Sequence, residues 1–194
     1  MDSSFNFCIP LKKDIGDTLI GVASTISVDR DDEKMSENAL SDMVKEIKEK
    51  GVNLFGNHEH GWENTLGAVT EADLKENQMY IKTILDNPQT NPKVPMLLNK
   101  LARGIKLGLS VGGTVTKLKY EYSKELGKKI KVIDGVKLYE ISVVGIPSNA
   151  DSFLTIPQAI SKSMKEKDLY NRQCSLCLGE IDKGVCKQCL KISE

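Results

Sequence analysis

Apolar residues alternate with polar ones along much of this chain, more often at the two-residue period of strands than at the 3.6-residue period of helices. Phe5, Phe7 and Ile9 alternate with polar neighbours, and the run from Leu19 to Val28 is rich in β-formers, so residues 5–28 are expected to be extended. Asp29 to Lys34 reads as a charged loop. Ser36 suits the N-cap of a helix running to about Lys50, with Leu40, Met43, Val44 and Ile47 on one face and Gly51 as its stop. Val52–Phe55 is a short apolar strand that leads straight into Gly56-Asn57-His58-Glu59-His60. Leu66–Val69 and Met79–Leu85 predict two further strands. Asp86 to Pro95 holds Asn-Pro twice and Val-Pro once and predicts a loop, followed by a short helix over Met96–Arg103 that ends at Gly104. A long β run spans Lys106–Tyr122, and Gly127 marks a turn. Lys129–Ile133 is a strand, Asp134-Gly135 predicts a hairpin turn, and Val136–Ile146 is the last strand before Pro147.

This order predicts a mainly β fold with flanking helices (α+β). Many short strands favour a closed or nearly closed β-barrel surrounded by helices, because closure removes exposed strand edges. The barrel domain should occupy residues 1–156. A polar, lysine-rich linker follows over 157–172, and a small cysteine-bearing unit fills 173–194.

Two segments of the barrel carry residue types suited to chemistry. In Lys106–Thr116, Leu107, Leu109, Val111 and Val115 fall on one strand face, while Gly108, Ser110, Gly112 and Thr114 fall on the other. Ser110 is thus flanked on its own face by glycines, which leaves room for another backbone or a substrate to approach its hydroxyl. No strand-to-helix turn follows, so this is not the nucleophile elbow of an α/β-hydrolase. In the last strand Glu140 and Ser142 share a face with Val136, Leu138, Val144 and Ile146, while Ile141 and Val143 line the other. A carboxylate so placed needs a partner, either a histidine or a lysine, unless it reaches the surface at a sheet edge. The chain has 2 histidines, His58 and His60, both just past the Val52–Phe55 strand. A neutral imidazole is the usual base for a serine hydroxyl, and either could serve.

Taken together, four blocks resemble the caudovirus prohead proteases in order and content. They are Gly21-Val-Ala-Ser with Val28-Asp-Arg, Leu54-Phe-Gly-Asn-His58-Glu with Leu66-Gly-Ala-Val, Gly108-Leu-Ser110-Val-Gly, and Leu138-Tyr-Glu140-Ile-Ser-Val-Val-Gly-Ile-Pro-Ser-Asn-Ala-Asp. The resemblance spans roughly residues 18–155. It implies a fold similar to the herpesvirus maturation proteases and a serine endopeptidase with Ser110 as nucleophile, His58 as base and Glu140 as the acid that orients it. It further implies capsid and scaffold proteins as substrates, self-cleavage, and action inside an assembling procapsid in the host bacterial cytoplasm. No cofactor is expected for that catalysis. Backbone amides around Val111–Gly113 would supply the oxyanion donors. A homo-oligomer is compatible with this reading. The alternative is a non-catalytic capsid-assembly adaptor that docks through its C-terminal unit.

That unit contains Cys174-x-x-Cys177 and Cys186-x-x-Cys189. Two such turns complete a tetrahedral Cys₄ site, so one structural Zn²⁺ per chain is expected. With so little apolar content, metal binding would supply the folding energy of the knuckle. The chain carries 27 basic and 27 acidic residues, and the knuckle has no aromatic residue for base stacking, which argues against nucleic acid as a partner. No apolar run approaches the length of a membrane span, and no signal segment is evident at Met1-Asp-Ser-Ser.

Overall fold

The architecture is organised around one long strand. The structure, a computed structural model, describes residues 18–155 and the short backbone segments 181–182 and 185–186. In chain order the main elements are β1 (Thr18–Thr25), β2 (Glu33–Met35), α1 (Glu37–Lys50), β3 (Val52–Gly56), β4 (Thr65–Lys75), β5 (Gln78–Leu85), α2 (Lys93–Ala102), β6 (Gly108–Ser123), β7 (Lys128–Val144) and β8 (Phe153–Thr155). The sheet runs β2-β7-β3-β4-β5-β1-β8, with β6 added along the remaining edge of β7. On that other edge β7 pairs in parallel first with β2 and then with β3. β6 pairs with it antiparallel over nearly its whole length.

The fold is therefore mainly β with two helices among the described residues, and the sheet is a curled half-barrel, not a closed one. Its two ends approach each other: the Leu154 N–H donates to the Leu107 carbonyl at 3.1 Å. No ladder joins β6 and β8 among the described residues.

The concave side holds the core. Leu19, Leu54, Val69, Met79, Ile81, Leu109 and Ile141 are sealed from solvent, and α1 adds Ala39, Leu40, Met43, Val44 and Ile47. Ser36 caps α1 as expected, its hydroxyl accepting from the Ala39 N–H at 3.2 Å, and Gly51 ends it with φ 65°.

Three sequence expectations change. The Asp134-Gly135 pair is not a hairpin turn, since β7 passes straight through it. The irregularity appears instead as two breaks in the β6–β7 ladder, one that leaves Thr116 of β6 without a ladder partner and one that leaves Asp134 of β7 without one. Lys117 and Lys119 each bring an ammonium 2.8 Å from the buried Asp134 carboxylate. A dipeptide that favours a turn in isolation is thus held in a strand by two cations across the ladder. The second change is α2, which begins at Lys93, within the segment read as a loop. Pro95 is accommodated because it lies in the first helical turn, where a backbone N–H has no partner within the helix. Third, Glu33–Met35 within and beyond the charged loop forms the short strand β2. The expected strand at Phe5–Ile9 lies outside the described residues, as do the linker 157–172 and Cys174, Cys177 and Cys189. Ile181–Asp182 and Val185–Cys186 pair as a minimal antiparallel hairpin. No helix of the described residues is long and apolar enough to cross a membrane.

The two lysines, Lys117 first, hold the Asp134 carboxyl well below the usual carboxylate range. A depressed folded-state value means that Asp134 contributes stability in full above its ordinary pKa of 3.8 and loses it as pH falls below that. Asp134→Asn should lower the melting temperature by a few degrees at neutral pH, and the gap to wild type should close as pH drops below about 4. Equal melting at neutral pH would show that the two lysines do not stabilise this bulge.

Candidate active site

Three neighbouring strands bring the chemically capable residues together. Glu140 lies on β7 between Asn53 of β3 and Gly112 of β6, and Ser142 lies between Phe55 and Ser110. Residues directly opposite in a ladder share a face, so Ser110, Ser142, Glu140 and Phe55 project to the same side. Leu54, Ile141 and Leu109 project to the other side, into the core. The polar cluster therefore sits on the sheet face opposite the apolar interior.

The histidines reach this face from the turn after β3. Asn57 and His58 both adopt left-handed backbone conformations, with φ 53° and 60°. Non-glycine residues adopt this conformation at a cost and keep it only where the surroundings enforce it. Two hydrogen bonds from β7 do so. The Asn57 N–H donates to the Val143 carbonyl at 2.9 Å, and the His58 N–H donates to Ser142 Oγ at 3.1 Å. The chain thereby doubles back and lays the His58 ring against the acid. His58 Nδ1 and Glu140 Oε1 are 2.6 Å apart. The other carboxylate oxygen, Oε2, accepts from the Ser142 hydroxyl at 2.7 Å.

Glu140 is only 2% exposed, and Ser142 is fully buried. Among the described residues no lysine or arginine pairs with Glu140, and its ion-pair partners are the two histidines. An ionised carboxylate only accepts hydrogen bonds, so the short contact requires the hydrogen on His58 Nδ1. The lone pair then lies on Nε2, directed away from the acid. His60 sits farther off, with Nε2 3.6 Å from the same oxygen and its ring edge-on to Phe55 at a centroid distance of 5.5 Å.

The glycines flanking Ser110 have a different role from the open approach that the sequence suggests. A Cβ at Gly112 would stand 2.0 Å from Glu140 Oε1, and one at Gly108 would stand 2.4 Å from the Pro147 ring. Both spaces are already filled, one by the acid and one by the loop after β7. That loop is tied to β1, since Asn149 Nδ2 donates to Thr25 Oγ1 at 2.9 Å and Ser152 Oγ donates to the Ala23 carbonyl at 3.1 Å. Ser110 is half-buried and opens into a cleft of ≈ 260 Å³ bounded by the end of β1, β2, and Ser148 and Asn149.

Sequence reasoning singled out Ser110, His58, Glu140 and His60 but gave Ser142 no role. Its signal was an i, i+2 hydroxyl next to a buried acid on one strand face.

A sequence model described as caudovirus prohead serine protease matches residues 20–177. Among solved structures, the chain resembles the bacteriophage T4 capsid assembly protease, with 16% identity, coverage of 66% of this chain and 80% of that one, and a TM-score of 0.53. The protease of KSHV, solved with a hexapeptide phosphonate inhibitor, aligns at 8% identity over 91% of this chain and 85% of that one, with a TM-score of 0.45. No curated protein sequence matches significantly. The T4 likeness is one of fold.

Gly112→Ala tests the packing at the acid. The added methyl cannot coexist with the carboxylate where it stands, so the variant should lose about 1–3 kcal/mol of stability, measured by urea unfolding. Its histidine resonances should also move, because Glu140 must leave His58. An unchanged midpoint and unchanged spectra would mean that the acid has another resting place.

Proposed function

The chain belongs to the caudovirus prohead serine protease family and is a capsid maturation protease, and from that premise we propose that it cleaves peptide bonds with Ser110 as nucleophile, His58 as general base and Glu140 as the orienting acid. The observation that carries this reading is the 2.6 Å contact between His58 Nδ1 and the buried Glu140 carboxylate. It fixes the tautomer in which Nε2 can accept a proton. The ladder supports the remainder: Ser110 stands opposite Ser142, which itself holds the other oxygen of the acid.

In the reaction His58 Nε2 takes the Ser110 proton while Oγ bonds to the substrate carbonyl carbon. The charge that develops on the carbonyl oxygen needs N–H donors. Backbone amides of Val111–Gly113, next to the nucleophile on β6, are the donors assigned to that task in this reading. The C–N bond then breaks, with the proton passing from His58 to the leaving amine. Water, deprotonated by the same imidazole, releases the acyl group. Glu140 remains ionised throughout and stabilises the imidazolium. Ser142 acts as a positioning residue, since it holds both the acid and the left-handed turn that carries the base. His60, whose Nε2 stands 3.6 Å from the acid against 2.6 Å for His58 Nδ1, takes no part in the proton transfer in this reading.

The substrates in this reading are capsid and scaffold proteins, and the chain itself, within the procapsid. Expression with and without Ser110→Ala, followed by intact-mass analysis, tests the nucleophile. Self-processing or cleavage of a co-expressed scaffold should fall at least about a thousandfold in the variant. His58→Ala should match that loss, and His60→Ala should cleave at close to the wild-type rate. Equal cleavage by wild type and Ser110→Ala would remove Ser110 from the reaction, and loss in His60→Ala alone would transfer the base to His60.

The C-terminal cysteines belong to the same proposal as a structural element. Cys174, Cys177, Cys186 and Cys189 supply four thiolates, the set that closes a tetrahedral Zn²⁺ site and leaves no open position for chemistry. What supports the fit is the small hairpin whose second strand carries Cys186. Its role in this reading is to dock the protease to capsid or scaffold. Metal analysis of purified chain should find about one zinc per chain. A chain free of metal whose C-terminal amides still resist exchange would show that the knuckle does not depend on zinc.

A further inference from the structure

The catalytic reading uses one histidine, yet both histidines of the chain face the same buried carboxylate. One ring nitrogen each of His58 and His60 and a Glu140 oxygen lie within 4.8 Å of one another. Ligand atoms at about 2.0–2.2 Å from a tetrahedral Zn²⁺ stand roughly 3.4 Å apart. The observed separations from the acid oxygen, 2.6 and 3.6 Å, bracket that value. Small ring rotations of two exposed imidazoles therefore suffice to admit an ion. The electrostatics favour it as well. With both histidines neutral, a carboxylate 2% exposed has no cation beside it among the described residues. A divalent cation would supply the missing charge.

We propose that His58, His60 and Glu140 form a site for a borderline divalent ion such as Zn²⁺, and that its occupation switches the protease off. The inference rests on His58 being the catalytic base. An ion on His58 Nδ1 takes the position of the hydrogen that now points at Glu140. For a neutral ring that hydrogen moves, through solvent, to Nε2. Nε2 then becomes a donor and can no longer accept the Ser110 proton. Two histidines and one carboxylate also leave a coordination position open, for water or for a substrate carbonyl. His60 is a ligand in this scheme and has no part in cleavage, so its removal separates the two functions.

The test uses the full chain, first saturated with one equivalent of Zn²⁺ to fill the cysteines, then titrated with Co²⁺ and, separately, with more Zn²⁺. Cobalt at the nitrogen–oxygen site gives weak visible bands without the intense sulfur charge-transfer absorption that a cysteine site shows. The expected result is one further Co²⁺ with weak bands, together with reversible inhibition by Zn²⁺ that EDTA relieves. In His60→Ala and in His60→Gln, unliganded cleavage should persist, the weak bands should vanish, and half-inhibition should require at least about tenfold more Zn²⁺. Two substitutions are used so that one poorly folded variant, recognised by its melting curve, does not decide the matter. Absence of the weak bands in wild type, or equal Zn²⁺ sensitivity of wild type and a folded His60 variant, would overturn the proposal. The cobalt spectrum reads the site without any turnover. Failure of the metal site is therefore distinguishable from failure of the catalytic assignment, which His58→Ala tests in the absence of added metal.

Discussion

A carboxylate that is almost wholly buried on a β-sheet must find hydrogen-bond donors for both oxygens, and that demand at Glu140 dictates its surroundings. One oxygen is met by His58 and the other by Ser142. The space for the carboxylate exists because position 112 on the neighbouring strand has no side chain. Ser142 in turn accepts the His58 amide, so the group that satisfies the acid also holds the turn that delivers the imidazole. The arrangement is a closed loop of mutual requirement. Removing any one member leaves a buried polar atom without its partner, which costs more than the hydrogen bond itself contributes.

The topology supplies this loop at little conformational cost. β7 is flanked by β3 on one edge and β6 on the other over the same four residues, 140–143. Chain segments more than 80 positions apart, such as His58 and Glu140, meet across adjacent strands with no long excursion. The parallel β3–β7 pairing matters most. Because β3 runs in the same direction as β7, its C-terminal end emerges beside Ser142 and Val143, and the next residues can turn back over the acid. An antiparallel pairing in the same register would place the exit of β3 at the opposite end, beyond reach of Glu140.

Much of this was legible in the sequence, and the parts that were not share a cause. The period-two alternation separated Ser110 from Leu109 and Glu140 from Ile141, but it placed Val136 and Leu138 on the face of Glu140, whereas the ladder skips Tyr139 and turns both into the core. The Ser36 cap and the Gly51 stop of α1 are local devices, and local signals reported them faithfully. What sequence misjudged depended on partners across the sheet. Asp134-Gly135 has the chemistry of a turn, but Lys117 and Lys119 come from another strand, and no window of adjacent residues contains them. The glycines around Ser110 looked like open space for the same reason: the Pro147 ring and the Glu140 carboxylate that occupy it arrive from 28 or more positions away. Closure of the barrel likewise depends on how β6 and β8, at opposite ends of the sheet, meet, and no local window reports that.

The same physics explains why the acid attracts both histidines. A buried negative charge is under-solvated, and every polarisable or protonatable group within reach lowers its energy by turning toward it. His58 is fixed there by its own amide, which donates to Ser142 Oγ, and by that of Asn57, which donates to the Val143 carbonyl, so its orientation is part of the fold. His60 approaches by a looser route, steadied by the edge of Phe55, whose own backbone pairs with Ser142. A base must be held in one tautomer and one direction for each turnover, and the tightly fixed ring meets that condition. Under the proposed roles both rings can ligate an ion, but His58 alone also serves as base, so one carboxylate held by one serine is shared by two histidines of which His60 has the single task.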